Sequence, residues 1–201
     1  MAGKTWHKRS PSVVGKNRRH GGKCIQFSQF FLKVSEEKFL SLYDELTNLH
    51  NRRGFDFLVE QQFKIAQRTK QSLLLLFVDV DNLKWINDNI GHKEGDKALI
   101  DTADILRMQI GAANILARIG GDEFLAVISD TFGSLPEILS KRLEESLQNR
   151  NGEEMHSIKL SCSIGFARYN PSSPCSIEQL LDPADKNVYE DKKKKKKDAA
   201  S

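Results

Sequence analysis

Apolar residues first settle into a period near residue 39. Phe39, Leu42, Leu46 and Leu49 fall three, four and three residues apart, which is one helical stripe. Ahead of them Ile25, Phe27, Phe30, Phe31, Leu32 and Val34 form a mixed apolar run. Residues 25–43 are expected to form a short linker or stalk helix, too brief for a coiled-coil assignment. Asn51 is placed to cap a helix reaching Thr69, with Phe55, Leu58, Val59, Gln62 and Phe63 as its inner face. Residues 72–80, SLLLLFVDV, carry a continuous apolar run that leads into Asp79 and then Asp81, the mark of a central strand buried on both faces. A short helix over 82–89, a turn at Gly91 and a helix over 95–110 come next, the last with Leu99, Ala103, Leu106 and Ile110 on one face. Ile115–Ile119, a Gly-Gly turn and Phe124–Ser129 predict a β-hairpin. A helix over 134–149, an alternating strand over 156–169 and a helix over 176–191 complete the chain. This order predicts an α/β fold: an α+β sandwich with helices flanking a central, mostly antiparallel sheet.

Composition narrows the class. The 201 residues suffice for one domain with an extension, or two small ones. The longest wholly apolar run, Leu73–Val78, is six residues, far short of a membrane span. The N-terminus has no apolar core of a secretory signal. Cys24, Cys162 and Cys175 show no CxxC spacing, so reduced thiols and a cytoplasmic location are expected. The formal charge of +4 is unevenly spread. Without the seven cations of residues 1–23 and the six lysines at 192–197, it becomes −9. Residues 1–24 are expected to be a disordered basic leader. A flexible tail and a nucleic-acid arm both fit that composition, but Trp6 is a single stacking surface, and nucleic acid is not favoured as a partner.

Candidate chemistry gathers in two acidic segments. Asp79 and Asp81 end the apolar strand, and alternation turns both to one side. Close like charges repel, burial adds to the cost, and a divalent cation removes both penalties. Magnesium suits such a site because it keeps positions for water and phosphate oxygens. A helix cap or a solvent-facing pair is the alternative at this point. In Arg118-Ile119-Gly120-Gly121-Asp122-Glu123-Phe124 the glycines fit a type I′ or II′ turn and allow close approach of a ligand. The acids after them can face the first carboxylate pair, or simply solvent. Between the two segments, Lys84 could meet a phosphate at the start of a helix. Asn87 and Asp96 together present the groups that read a guanine edge. Taken alone, Asp96 reads as the cap of the next helix.

Together these segments resemble the GGDEF family, the diguanylate cyclases, from Asp44 to about Lys196. The entry motif is Asp44-Glu45-Leu46-Thr47-Asn48-Leu49-His50-Asn51-Arg52-Arg53. Asp79-Val80-Asp81, Lys84, Asn87-Asp88, Gly91-His92, Gly95-Asp96, the signature Gly120–Phe124, Ser163-Ile164-Gly165 and Ala184-Asp185…Tyr189…Lys192 follow in order. The resemblance implies a sheet like the palm of nucleotide polymerases and class III nucleotide cyclases, with a ferredoxin-like core. It assigns residues 44–192 to the catalytic domain and 193–201 to a Lys-rich tail. It implies condensation of two GTP into cyclic di-GMP and two pyrophosphates by a homodimer, each 3′-hydroxyl attacking the opposite α-phosphate. An inactive module that binds GTP or cyclic di-GMP as a regulator is the alternative.

Carried over by position, Asp79, the Val80 carbonyl and Asp122 would hold two Mg²⁺ or Mn²⁺ ions. Asp122 would also accept the proton, and Glu123 would support the metal site or the hydroxyl. Gly120 and Gly121 would admit the nucleotide, Asn87 and Asp96 would read guanine, and His92 lies in the same binding segment. Lys84, Lys192 and Lys196 would contact phosphate. Two departures stand out. Gly111-Ala112-Ala113-Asn114 occupies the place of the RxxD product-inhibition site, so that site is expected to be absent. Asp191 precedes Lys192 where relatives often have a small residue.

Overall fold

The computed structural model describes residues 42–130, 134–154 and 158–198. The expected leader, the stalk helix up to residue 41 and Cys24 lie outside the described residues, as do 156 and 157. Helix α1 spans Arg52–Thr69, followed by β1 Leu73–Val80, α2 Leu83–Asn89, α3 His92–Ile110, β2 Ile115–Arg118 and β3 Glu123–Ser129. Then come α4 Leu135–Gly152, β4 Cys162–Tyr169 and α5 Ile177–Asp198. Four antiparallel strands in the order β2-β3-β1-β4 are flanked by these five helices, the architecture that the sequence predicts.

Strand alternation sorts the core into two layers. Leu74, Leu76, Val78 and Val80 of β1 pack towards α2, α3 and α4. Leu73, Leu75 and Phe77 pack against Phe55, Val59 and Ala66 of α1 and Leu180, Ala184 and Val188 of α5. Asp79 shares the parity of the second set, and so it belongs to the α1/α5 face. Asp79 pairs with Glu123 on one side and Ser163 on the other. Register thus sets a carboxylate, a second carboxylate and a hydroxyl across three strands on one face.

The differences from expectation have local causes. Asn51 caps α1 by accepting from the Gly54 amide at 3.0 Å, as expected. Helix α3 begins at His92, after Gly91 with φ 121°. Asp96 therefore lies in the second turn and is not a cap. Strand β4 starts at Cys162: Ile158 and Leu160 are buried, but as loop residues, with Asn151 bonding both backbone groups of Leu160. Helix α5 continues through the lysine run to Asp198. No helix among the described residues is long and apolar enough to cross a membrane.

Candidate active site

The acidic cluster forms where β1 ends and β3 begins. The Val80 amide donates to the Asp122 carbonyl at 3.0 Å, extending the ladder to the hairpin. Ile119 N–H donates to the Glu123 carbonyl at 2.9 Å and closes the loop. Neither Gly120 nor Gly121 has the positive φ expected of a type I′ or II′ turn. Gly120 instead lies against the Glu123 side chain: a Cβ there would come 2.4 Å from Glu123 Oε2, and the carboxyl would have to shift. Gly121 faces open space. Asp79 and Glu123 are drawn together with Asp122, and both carboxyls are pushed above their usual range. Burial is the main cause at each. For Asp79 the Lys192 ammonium opposes it while Asp122 and Asp81 add repulsion. For Glu123, Asp122 and Asp79 add repulsion that Arg52 partly offsets.

Lys192 Nζ lies 2.7 Å from Asp79 Oδ1, so the expected phosphate ligand stands at the carboxylate. Asp81 is held by hydroxyls of Ser161 and Ser163, donating at 2.6 and 2.7 Å. A cavity of about 400 Å³ opens beside it, lined by Asp81, Asn82, Ser161, Lys192, Lys195 and Lys196. Three ammonium groups around it suit a polyanion. On the α2/α3 side, Asn87 Oδ1 lies over Gly95, where a Cβ would come within 1.9 Å. Gly95 thus leaves room for the Asn87 side chain. Asp96, His92 and Lys84 are exposed. No ion pair joins Lys84 to the carboxylates among the described residues.

Sequence reasoning missed the support of this site. Arg118 Nη1 donates to Asp44 at 3.1 and 3.3 Å, and its Nη2 donates to the Gly121 carbonyl at 2.7 Å. The guanidinium therefore ties the entry motif to the signature hairpin. Thr47 bonds the same carboxylate through its amide and hydroxyl, at 2.9 and 2.7 Å. The Ser-x-Ser spacing of residues 161–163 was the available signal for the Asp81 contacts. Asn114, in place of the RxxD acid, is used within the fold: it donates to the Ile110 carbonyl at 2.6 Å and accepts from the Ser129 amide at 3.3 Å.

Among the described residues, no three Asp, Glu, His or Cys side chains already form a metal cage. The donor set nevertheless fits a hard divalent ion. It is all oxygen, two of its carboxyls are raised, and a lysine ammonium stands at one of them.

Fold and site together define an antiparallel α/β domain with a carboxylate cluster at the end of its central strands, the layout of a nucleotide-cyclase-like domain. The chain belongs to the GGDEF family: the family described as "Diguanylate cyclase, GGDEF domain" matches residues 41–198. It is 32% identical over 161 residues to the diguanylate cyclase DgcS of Shewanella oneidensis, spanning 80% of this chain and 53% of that protein. It is 34% identical over 150 residues to the bifunctional diguanylate cyclase/cyclic di-GMP phosphodiesterase MucR of Pseudomonas aeruginosa, spanning 75% of this chain and 22% of that one. The chain thus spans about half or less of these relatives. Among solved structures, the coiled coil and GGDEF domain of DgcB from Caulobacter crescentus superposes with a TM-score of 0.77 at 22% identity, covering 86% of this chain and 91% of that one. The GGDEF domain of TpbB (YfiN) from Pseudomonas aeruginosa gives 0.68 at 30% identity, covering 76% and 89%.

Proposed function

We propose that this chain is a diguanylate cyclase, condensing two GTP into cyclic di-GMP with release of two pyrophosphates. The observation that carries the reading is the convergence of Asp79, Asp122 and Glu123 at the junction of β1 and β3, with Lys192 of α5 at Asp79. Curated relatives at 32% and 34% identity bear the name diguanylate cyclase, which supports it.

Each protomer would hold one GTP, and two would face each other so that each 3′-hydroxyl meets the opposite α-phosphate. Asn87 and Asp96 would orient the guanine, with His92 beside them. Gly120 and Gly121 would let the nucleotide lie against the hairpin. Lys192 and Lys196, with Lys84 from α2, would hold phosphate oxygens. Asp79, Asp122 and the Val80 carbonyl would hold Mg²⁺ or Mn²⁺, which when bound supplies charge compensation at the phosphates and lowers the 3′-hydroxyl pKa. Asp122 would accept the hydroxyl proton, and the raised Glu123 would assist at the same atom. Phosphoryl transfer rests mainly on such positioning and charge compensation.

The test is incubation with GTP and Mg²⁺, chromatography of the nucleotides, and comparison with Asp122→Ala. Cyclic di-GMP is expected from the unmodified chain at a rate rising more than linearly with protein concentration. The variant is expected to lose at least about a hundredfold. GTP binding without product at high protein concentration would support the regulatory-module alternative instead.

A further inference from the structure

Strand β4 is an edge strand, and its outward backbone groups are met by side chains of α5. Asn187 donates to the Phe166 carbonyl at 2.9 Å. Asp191 Oδ2 accepts from the Ile164 amide at 3.1 Å. Lys195 donates to the Cys162 carbonyl. The partners step by four along the helix and by two, backwards, along the strand. Four helical residues rise about 6 Å and two strand residues about 6.7 Å, so the rows stay matched. Gly165 permits the approach: a Cβ there would lie 2.1 Å from the Ala184 carbonyl. Lys195 also pairs with Asp191 at 2.7 Å and reaches to 3.9 Å from Asp81.

We propose that Asn187, Asp191 and Lys195 form a register clamp that selects, from six consecutive lysines, which ones meet the substrate. A helical run of identical residues carries no register of its own. With the row 187–191–195 fixed on β4, Lys192 falls at Asp79 and Lys196 at the cavity beside Asp81. Lys193 instead lies over the Tyr189 ring, 4.2 Å from its centroid. The three clamp residues are positioning residues that act through Lys192 and Lys196. Asp191 also gives a physical use to the acid standing where relatives often have a small residue. This inference rests on the cyclase reading.

The test measures affinity for 3′-deoxy-GTP with Mg²⁺, which lacks the attacking hydroxyl, alongside turnover of GTP. Asp191→Ala is expected to weaken binding about tenfold, and the same substitution in a Lys192→Ala background to add less than twofold. Asp191→Asn keeps an acceptor for the Ile164 amide and is expected to stay within twofold of the unmodified chain. Lys193→Ala and Lys194→Ala are expected to change nothing. Should Asp191→Ala fail to fold, the same cycle run on Asn187→Ala decides. Unchanged affinity in the clamp variant, or a full tenfold loss on top of Lys192→Ala, overturns the clamp. An unmodified chain that binds 3′-deoxy-GTP but makes no cyclic di-GMP overturns the cyclase reading alone, and the clamp is then judged on affinity. A chain that binds no nucleotide overturns both.

Discussion

Asp44 and the Asp79–Asp122–Glu123 cluster are carboxylates in similarly sheltered places, and burial is answered in opposite ways. At Asp44 burial alone would raise the pKa, but the Thr47 hydroxyl and amide and the Arg118 guanidinium outweigh it and hold the carboxyl below its ordinary 3.8. At Asp79 and Glu123 the neighbours include further acids, and both carboxyls stand above their ordinary values. The first arrangement is satisfied within the chain. The second leaves negative charge under-compensated, which is how a site for a cation and a polyphosphate differs from a structural ion pair. Arg118 borders both, since it bonds Asp44 and the hairpin carbonyl of Gly121.

The largest effect that sharpens this contrast is expected at Glu123. Glu123→Gln should lower cyclic di-GMP formation by about a hundredfold without lowering the melting temperature of the metal-free chain at pH 7. The sign follows from its raised pKa. Such a group stabilises the fold below its ordinary 4.5 and loses that contribution as pH rises through the folded value. At neutral pH its charge opposes folding, and the neutral amide removes that cost. A clear fall in melting temperature in EDTA would place Glu123 with Asp44 as a structural acid.

Arg118→Ala should do the reverse. The guanidinium side chain is 13% exposed and its Asp44 partner 23%, so breaking the pair costs about 1–3 kcal/mol in urea denaturation at pH 7. Activity per folded molecule should change far less than in Glu123→Gln. The pH dependence separates the two acids further. Asp44 has a depressed pKa, so its contribution is present above 3.8 and is lost as pH falls through the lower folded value. The penalty in Asp44→Asn should therefore shrink as pH drops from 7 towards about 3, whereas any gain in Glu123→Gln should vanish below 4.5. Parallel pH profiles for the two variants would erase the distinction.

Much of this contrast could be read from the chain. An apolar strand ending in acids, and a hairpin with acids after two glycines, suffice to bring Asp79 and Glu123 opposite each other. What sequence could not supply was long-range use of ordinary residues. Nothing local to Arg118 announces a partner 74 residues away. The alternation at Ile158 and Leu160 looked like strand because apolar loop residues bury with the same period. Asp96 looked like a cap because helix α3 starts sooner, at His92, after a glycine whose positive φ has no sequence signature beyond its identity. The lysine run looked like a tail because six identical residues show no inner face, whereas in the fold α5 continues through them and Lys195 bonds the backbone of β4.

The smallest effect is expected where ion-pair chemistry is repeated without shelter. Glu60 and Lys64 of α1 pair at 2.6 Å, and the lysine holds the carboxyl below its ordinary range, as Arg118 helps to do for Asp44. Their side chains, however, are 67% and 66% exposed. Water and salt screen the pair, and holding two long side chains in one geometry costs entropy. Lys64→Ala should leave the melting temperature and its salt dependence indistinguishable from those of the unmodified chain. A loss as large as that of Arg118→Ala would mean that a lowered carboxyl pKa is enough to mark a structural acid in this fold. No loss would assign the difference to burial and to the added bonds from Thr47, which is what separates Asp44 both from Glu60 and from the unsatisfied acids of the site.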